Sequence, residues 1–210
     1  MISDGMVTYP GLPGPVITDH LSRMDSRAQY AAGTEFHIGR IDMVANTGTY
    51  LDVPSHRFEE GFDLSGLPLD SVADLPGVCV ASSSRSIGVS AFDGLSLRGV
   101  AVLISTGWDR HWGSETYGDA SHPHLTRDAA TFLVEMGVRL VGIDSVNIDA
   151  TDGGERPVHS TLLEAGVLVV EHLTGLDRLV GRSFRFFAVP PKVEGMGTFP
   201  VRAFALIDDG

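Results

Sequence analysis

One short stretch, Asn46-Thr47-Gly48-Thr49-Tyr50-Leu51-Asp52-Val53-Pro54-Ser55-His56, gathers side chains that can do chemistry. Asp52 and His56 stand four residues apart on a segment stiffened by Pro54. Oxygen and nitrogen donors so spaced can converge on one divalent cation. The same spacing also fits a surface turn with a salt-bridged Asp. Far downstream, Glu171 closes the apolar run 167–170. A carboxylate at a buried strand end is costly unless it is paired, hydrogen-bonded or metal-bound. His159 precedes that run by one short helical segment, so both side chains can face the same end of a sheet; a satisfied structural histidine is the alternative. Asp144 and Asp149 flank another strand end, and capping or turn formation suffices to explain Asp149. Phe58, Phe62, Trp108 and Trp112 are available to line a pocket, or to pack as core and loop anchors.

These residues need elements to position them. Residues 34–44 alternate apolar with polar, which predicts a half-buried strand. The continuous Val, Ile and Leu content of 78–81, 100–106 and 138–144 predicts strands of a sheet covered on both faces. Between the last two, Thr126 is a suitable N-cap, Asp128 lies in the first turn, and Phe132, Leu133 and Met136 form an apolar stripe. Gly137 stands where a left-handed C-terminal cap falls. A second helix is predicted to open at His159 and to end before Gly166, followed by the strand that Glu171 closes. Residues 62–76 read as loop and a brief helix, and 184–190 and 201–207 as final strands. The result is an α/β fold with a mixed central sheet, in a single domain over residues 1–210.

Composition narrows the function. With 43% hydrophobic residues the chain can build a core. Its formal net charge of -12 disfavours a nucleic-acid partner and a basic membrane-surface helix. The apolar runs are too short to span a bilayer. The N-terminus lacks a basic start followed by an apolar stretch, so a soluble, cytoplasmic protein is expected. The one cysteine, Cys79, permits no internal disulfide and no Cys-rich zinc site, and reads as a small core residue.

The 46–56 stretch, together with Tyr9-Pro10-Gly11, Ser105-Thr106-Gly107-Trp108-Asp109, His122-Pro123-His124-Leu125, Gly142 to Asp149, Val158 to Leu163 and Glu171 to Asp177, resembles the cyclase family of metal-dependent hydrolases, of the bacterial kynurenine formamidase and isatin hydrolase kind. The blocks occur in the family's order and cover nearly the whole chain. The resemblance implies a swivelling β/α/β fold. It implies that Asp52 is a metal-holding carboxylate, that His56 is a metal neighbour and general base, and that His159 and Glu171 complete the site. Two positions depart from the family signature His-x-Gly-Thr-x-x-Asp-x-Pro-x-His: its leading histidine is Asn46, and the histidine that commonly follows Gly-Thr is Tyr50. An amide oxygen and a phenol are poor replacements as zinc donors, which points to one divalent ion, Zn²⁺ or Mn²⁺, rather than two, with an ion-free site as the alternative.

The implied reaction is hydrolysis of an amide or lactam carbonyl in a small, partly aromatic molecule. His56 would be its acid and base, and Tyr50 a donor to the oxyanion. Asn46, Trp108 and Phe58 are the candidate substrate contacts. An ion-independent cyclisation, dehydration or isomerisation using His56, Asp52 and Tyr50 is the rival, and a non-catalytic small-molecule binder the third reading. The resemblance also implies a homodimer or homotetramer, with the turn-rich N-terminal stretch as the segment suited to exchange between copies.

Overall fold

The computed structural model describes residues 1–208. The chain, expected to be one α/β domain over 1–210, distributes its contacts into two compact units, Met1–Gly48 and Thr49–Gly210. In the first, strands β1 (Val16–Leu21) and β2 (Ile38–Asp42) pair antiparallel. A one-turn helix, α1 (Arg23–Ser26), lies between them, capped by the Ser22 side chain on the Asp25 amide. The expected half-buried strand over 34–44 is shorter, and every residue of β2 is exposed. Within the first unit β1 and β2 form a sheet of their own, and two strands alone bury little of either face.

The second unit holds an eight-stranded sheet. Its strands are β3 (Tyr50–Asp52), β4 (Leu75–Ala81), β6 (Ala101–Ser105), β8 (Leu140–Ile143), β9 (Leu168–Glu171), β10 (Phe184–Phe187), β11 (Thr198–Pro200) and β12 (Phe204–Ile207). The order is β11-β3-β9-β8-β6-β4-β10-β12. The four central strands β9, β8, β6 and β4 run parallel, and antiparallel strands flank them on both sides. A small parallel pair, β5 (Ser86–Ile87) and β7 (His124–Leu125), stands apart. The mixed α/β architecture expected from the sequence is present.

Strands β6, β8 and β9 are buried at every residue. Alternate side chains point to opposite faces. Val102, Ile104, Val141, Ile143 and Val169 therefore pack under helices α2 (Arg127–Glu135) and α3 (Pro157–Glu164), against Ala129, Leu133, Val158 and Leu162. Ala101, Leu103, Leu140, Leu168 and Val170 face the other way, onto Leu51, Phe184, Phe186 and Leu176. The expected strand at 78–81 starts earlier, at Leu75, and is only half-buried from Gly77 to Val80. Cys79 is correspondingly half-buried, its thiol bonded to the Leu176 carbonyl at 3.4 Å.

The helix ends follow their local chemistry. Thr126 Oγ1 accepts the Ala129 amide at 3.1 Å. Gly137 takes φ 75°, its amide bonding Val134 O at 3.0 Å and that of Val138 bonding Leu133 O at 3.2 Å. That double bond pattern satisfies the last carbonyls of α2. Helix α3 begins at Pro157, two residues before the expected start, because proline has no amide to lose at the first helical position. The brief helix expected within 62–76 is the 3-10 turn Leu69–Ser71. The final strands are shorter than expected, and β11, which ends on Pro200, was not foreseen. Among the described residues no helix is long and apolar enough to cross a membrane.

Candidate metal centre

Strand β3 places Tyr50 opposite Glu171 and Asp52 opposite Val169 on β9. Tyr50 and Asp52 are two residues apart, as are Val169 and Glu171, so all four share one face of the sheet. Leu51 and Val170 point into the core on the other face. Helix α3 packs over the first face and brings His159 with it. Its Nε2 lies 3.7 Å from Asp52 Oδ2 and 3.5 Å from Glu171 Oε1. Exposure is 0% for Asp52, 1% for Glu171 and 6% for His159. One ligand atom from each falls within 4.8 Å of the others, so three of the four metal-holding residues implied by the resemblance are brought together.

Hydrogen bonds fix how these atoms are presented. Asp149 Oδ2 accepts from His159 Nδ1 at 2.7 Å and from its backbone amide at 2.9 Å, while Oδ1 accepts the Val158 amide at 2.7 Å. Those amides are unpaired donors in the first turn of α3, so one carboxylate both caps the helix and sets the imidazole tautomer. Nε2 is left facing Asp52 and Glu171. Glu171 Oε1 receives the Ile148 amide at 2.6 Å, and Oε2 receives the Tyr50 hydroxyl at 2.7 Å. Thr198 donates its hydroxyl to Asp52 Oδ1, but Asp52 Oδ2 is buried with no hydrogen-bond partner.

Two buried carboxylates in this space call for positive charge. Burial alone would depress the His159 pKa, yet the charge of Glu171 and the bonds to Asp149 and Asp52 outweigh it and raise it to about 10. Burial pushes Glu171 up to about 7, with His159 opposing and Asp52 reinforcing the shift. Without a cation the cluster therefore retains a proton. A divalent ion supplies the same compensation, and the orphaned Asp52 oxygen beside a carboxylate-held imidazole suits its oxygen and nitrogen preferences.

His56 stands at the rim. It ends the 3-10 turn Pro54–His56, and its side chain is 34% exposed. Its Nε2 is 3.8 Å from Asp52 Oδ1, and its Nδ1 is 2.7 Å from Thr198 Oγ1. Because Thr198 gives its one proton to Asp52, it accepts from His56 Nδ1, leaving Nε2 as the lone-pair nitrogen of a partly exposed ring. Gly197 makes this contact geometrically feasible: a Cβ there would collide with the His56 backbone amide. Among the described residues the closely grouped donor set is Asp52, His159 and Glu171, with His56 beside it rather than within it.

The other expected site residues are distributed more widely. Tyr50 lies beside Glu171, its phenolic proton directed at that carboxylate rather than at open space. Asn46 belongs to the first unit, half-buried in the bend after β2. Trp108 starts the 3-10 turn after β6, its Nε1 donating to Tyr117 O at 3.0 Å. Phe58 packs against the core under α2 and α3, with the Arg57 guanidinium 5.3 Å from its ring centre. Both aromatics thus take the anchoring and packing roles open to them from the sequence. Asp144 holds the Trp108 loop by accepting from the Thr106 and Gly107 amides and the Thr106 hydroxyl.

Thr198 and the orienting role of Asp149 escaped the sequence reading. Asp149 does cap, as its position suggests, but nothing in the spacing shows that the same oxygen reaches the imidazole. Thr198 is 142 residues from His56 and carries no local signal.

The family model described as a putative cyclase matches residues 2–150. A kynurenine formamidase of Bacillus mycoides (strain KBAB4) is 30% identical over 168 residues, covering 80% of this chain and 78% of that protein. A solved structure described as a potential metal-dependent hydrolase with cyclase activity superposes with a TM-score of 0.79 at 27% identity, covering 100% of this chain and 95% of the other, in keeping with the expected swivelling β/α/β fold. Isatin hydrolase A from Labrenzia aggregata shares the fold, with a TM-score of 0.79 at 22% identity over 94% of this chain and 84% of that one. The family match, the common fold and the buried Asp-His-Glu set agree: the chain belongs to the cyclase family.

Proposed function

We propose that this chain hydrolyses a carbon–nitrogen bond at the amide or lactam carbonyl of a small, partly aromatic molecule, with one divalent ion, Zn²⁺ or Mn²⁺, held by Asp52, His159 and Glu171. The observation that carries the proposal is the buried three-residue donor set whose histidine tautomer is set by Asp149. The named activities of the formamidase relative supply the bond type. The ion, when bound, would act as a Lewis acid on the carbonyl and on water.

His56 is the acid–base group of this reading. Its Nε2 takes a proton from the attacking water as the new C–O bond forms. The same nitrogen then returns the proton to the departing nitrogen as the C–N bond breaks. Thr198 keeps the ring in the tautomer that the first step requires. Solvent access at His56, against burial of the other three, supports its assignment as the group that exchanges protons with substrate and water.

The active assembly in this reading is a cytoplasmic homodimer or homotetramer. The cross-strand pair Ile17 and Ile41, both exposed on one face of the ribbon of the first unit, supports that part as a surface suited to contact between copies. Elemental analysis of protein purified without added metal, read beside turnover of aryl amides and bicyclic aryl lactams before and after chelation, tests the central proposal. One ion per chain and chelator-sensitive turnover are expected. Full turnover by demonstrably ion-free protein would overturn it in favour of ion-independent acid–base chemistry.

A further inference from the structure

We infer that His172 is a positioning residue for Glu171, the second member of a one-way chain of hydrogen bonds running from Tyr117 through His172 and Tyr50 to the Glu171 carboxylate. The inference rests on the reading of Glu171 as a metal ligand. His172 directly follows Glu171 and takes a left-handed backbone, φ 57°, rare for a residue other than glycine. Its amide donates to Ser145 O at 3.2 Å, and its carbonyl accepts from Thr49 Oγ1 at 2.6 Å. The buried ring is engaged on both nitrogens: Nδ1 lies 2.8 Å from the Tyr117 hydroxyl and Nε2 lies 3.3 Å from the Tyr50 hydroxyl. Trp112 packs edge-on against both Tyr117 and His172, with ring centres 4.9 and 5.8 Å away.

The order of protons follows from counting them. A phenol has one proton, and that of Tyr50 goes to Glu171 Oε2 at 2.7 Å. Its oxygen therefore accepts from His172 Nε2–H. A neutral imidazole then offers a lone pair at Nδ1, which the Tyr117 hydroxyl fills. In the reverse order, Tyr50 would donate to His172 and deprive Glu171 Oε2 of this donor inside the protein. The Tyr50 hydroxyl thereby fixes the carboxylate through Oε2, while Oε1, which accepts the Ile148 amide and lies 3.5 Å from His159 Nε2, is the oxygen turned toward the donor cluster.

The test uses full-length protein, Tyr50→Phe, Tyr117→Phe and the double variant, with Zn²⁺ affinity measured by competition with a chelating dye. Each single change is expected to weaken Zn²⁺ binding, Tyr50→Phe by about 10- to 100-fold. The double variant should bind no more weakly than Tyr50→Phe alone, since Tyr117 acts only through Tyr50. Multiplying losses would overturn the inference. Nitrogen-15 NMR of the metal-free wild type supplies an independent reading, which decides the matter even if a variant fails to fold. His172 should be the Nε2–H tautomer at neutral pH; an Nδ1–H tautomer or an imidazolium overturns the chain. A wild type that binds neither Zn²⁺ nor Mn²⁺ would defeat the metal reading, while the NMR result would still decide the order of the chain.

Discussion

His159 and His56 have ring centres only 6.3 Å apart, yet they sit in opposite surroundings. His159 is buried, and its Nδ1 is held by the carboxylate of Asp149. His56 reaches solvent, and its Nδ1 is held by the hydroxyl of Thr198. Both partners leave Nε2 directed toward the site. A carboxylate partner strengthens that nitrogen as a donor, and burial protects the bond it makes, which suits a ligand. A hydroxyl partner fixes the tautomer without adding charge, and access to water suits a base. The partner behind each ring, more than the ring itself, assigns the role.

The comparison is broken most severely by deleting each ring in turn. His159→Ala should lose stoichiometric metal in elemental analysis and turnover with it. His56→Ala should keep the metal while turnover falls by about 10²- to 10⁴-fold. Equal metal loss in both variants would erase the distinction drawn between them. Changing the partners should have smaller effects. Asp149→Asn keeps the shape but removes the charge behind His159, so metal affinity should drop by about 10- to 100-fold in a chelator competition. Thr198→Val removes the hydroxyl shared by His56 and Asp52. It should lower turnover with little change in metal content and cost about 1–3 kcal/mol of stability in urea unfolding, because Asp52 Oδ1 loses its donor.

The mildest test varies pH on metal-free protein. The folded His159 pKa, about 10, lies above the ordinary imidazole value, so the folded state binds the extra proton. Its contribution to stability is fully present below pH ~6.5 and is lost as the pH rises toward 10. The urea midpoint should therefore decline over this alkaline window, and saturating metal should flatten the decline by replacing the proton on Nε2. A midpoint with the same pH dependence in both states would argue against His159 as a ligand.

Local rules made part of this architecture legible in advance. Thr126 and Gly137 mark the two ends of α2 because capping acts within one turn of chain. The central strands announce themselves because burial on both faces demands unbroken apolar runs. The exposed β2 shows the limit of such reasoning: alternation reveals a strand with an apolar face, but burial needs a second layer that the strand cannot specify.

The same division runs through the site. Asp52 and His56 could be paired from the sequence because Pro54 and four residues of spacing hold them close, and the resemblance of neighbouring blocks supplied His159 and Glu171. Only the tertiary structure decided what stands behind each of them: Asp149 behind His159, Thr198 between His56 and Asp52, and Tyr50 with His172 behind Glu171. The physical reason is range. Residue type and short spacing determine which donors are available, whereas a hydrogen bond acts over about 3 Å and is formed only when strand register and helix packing bring distant segments together.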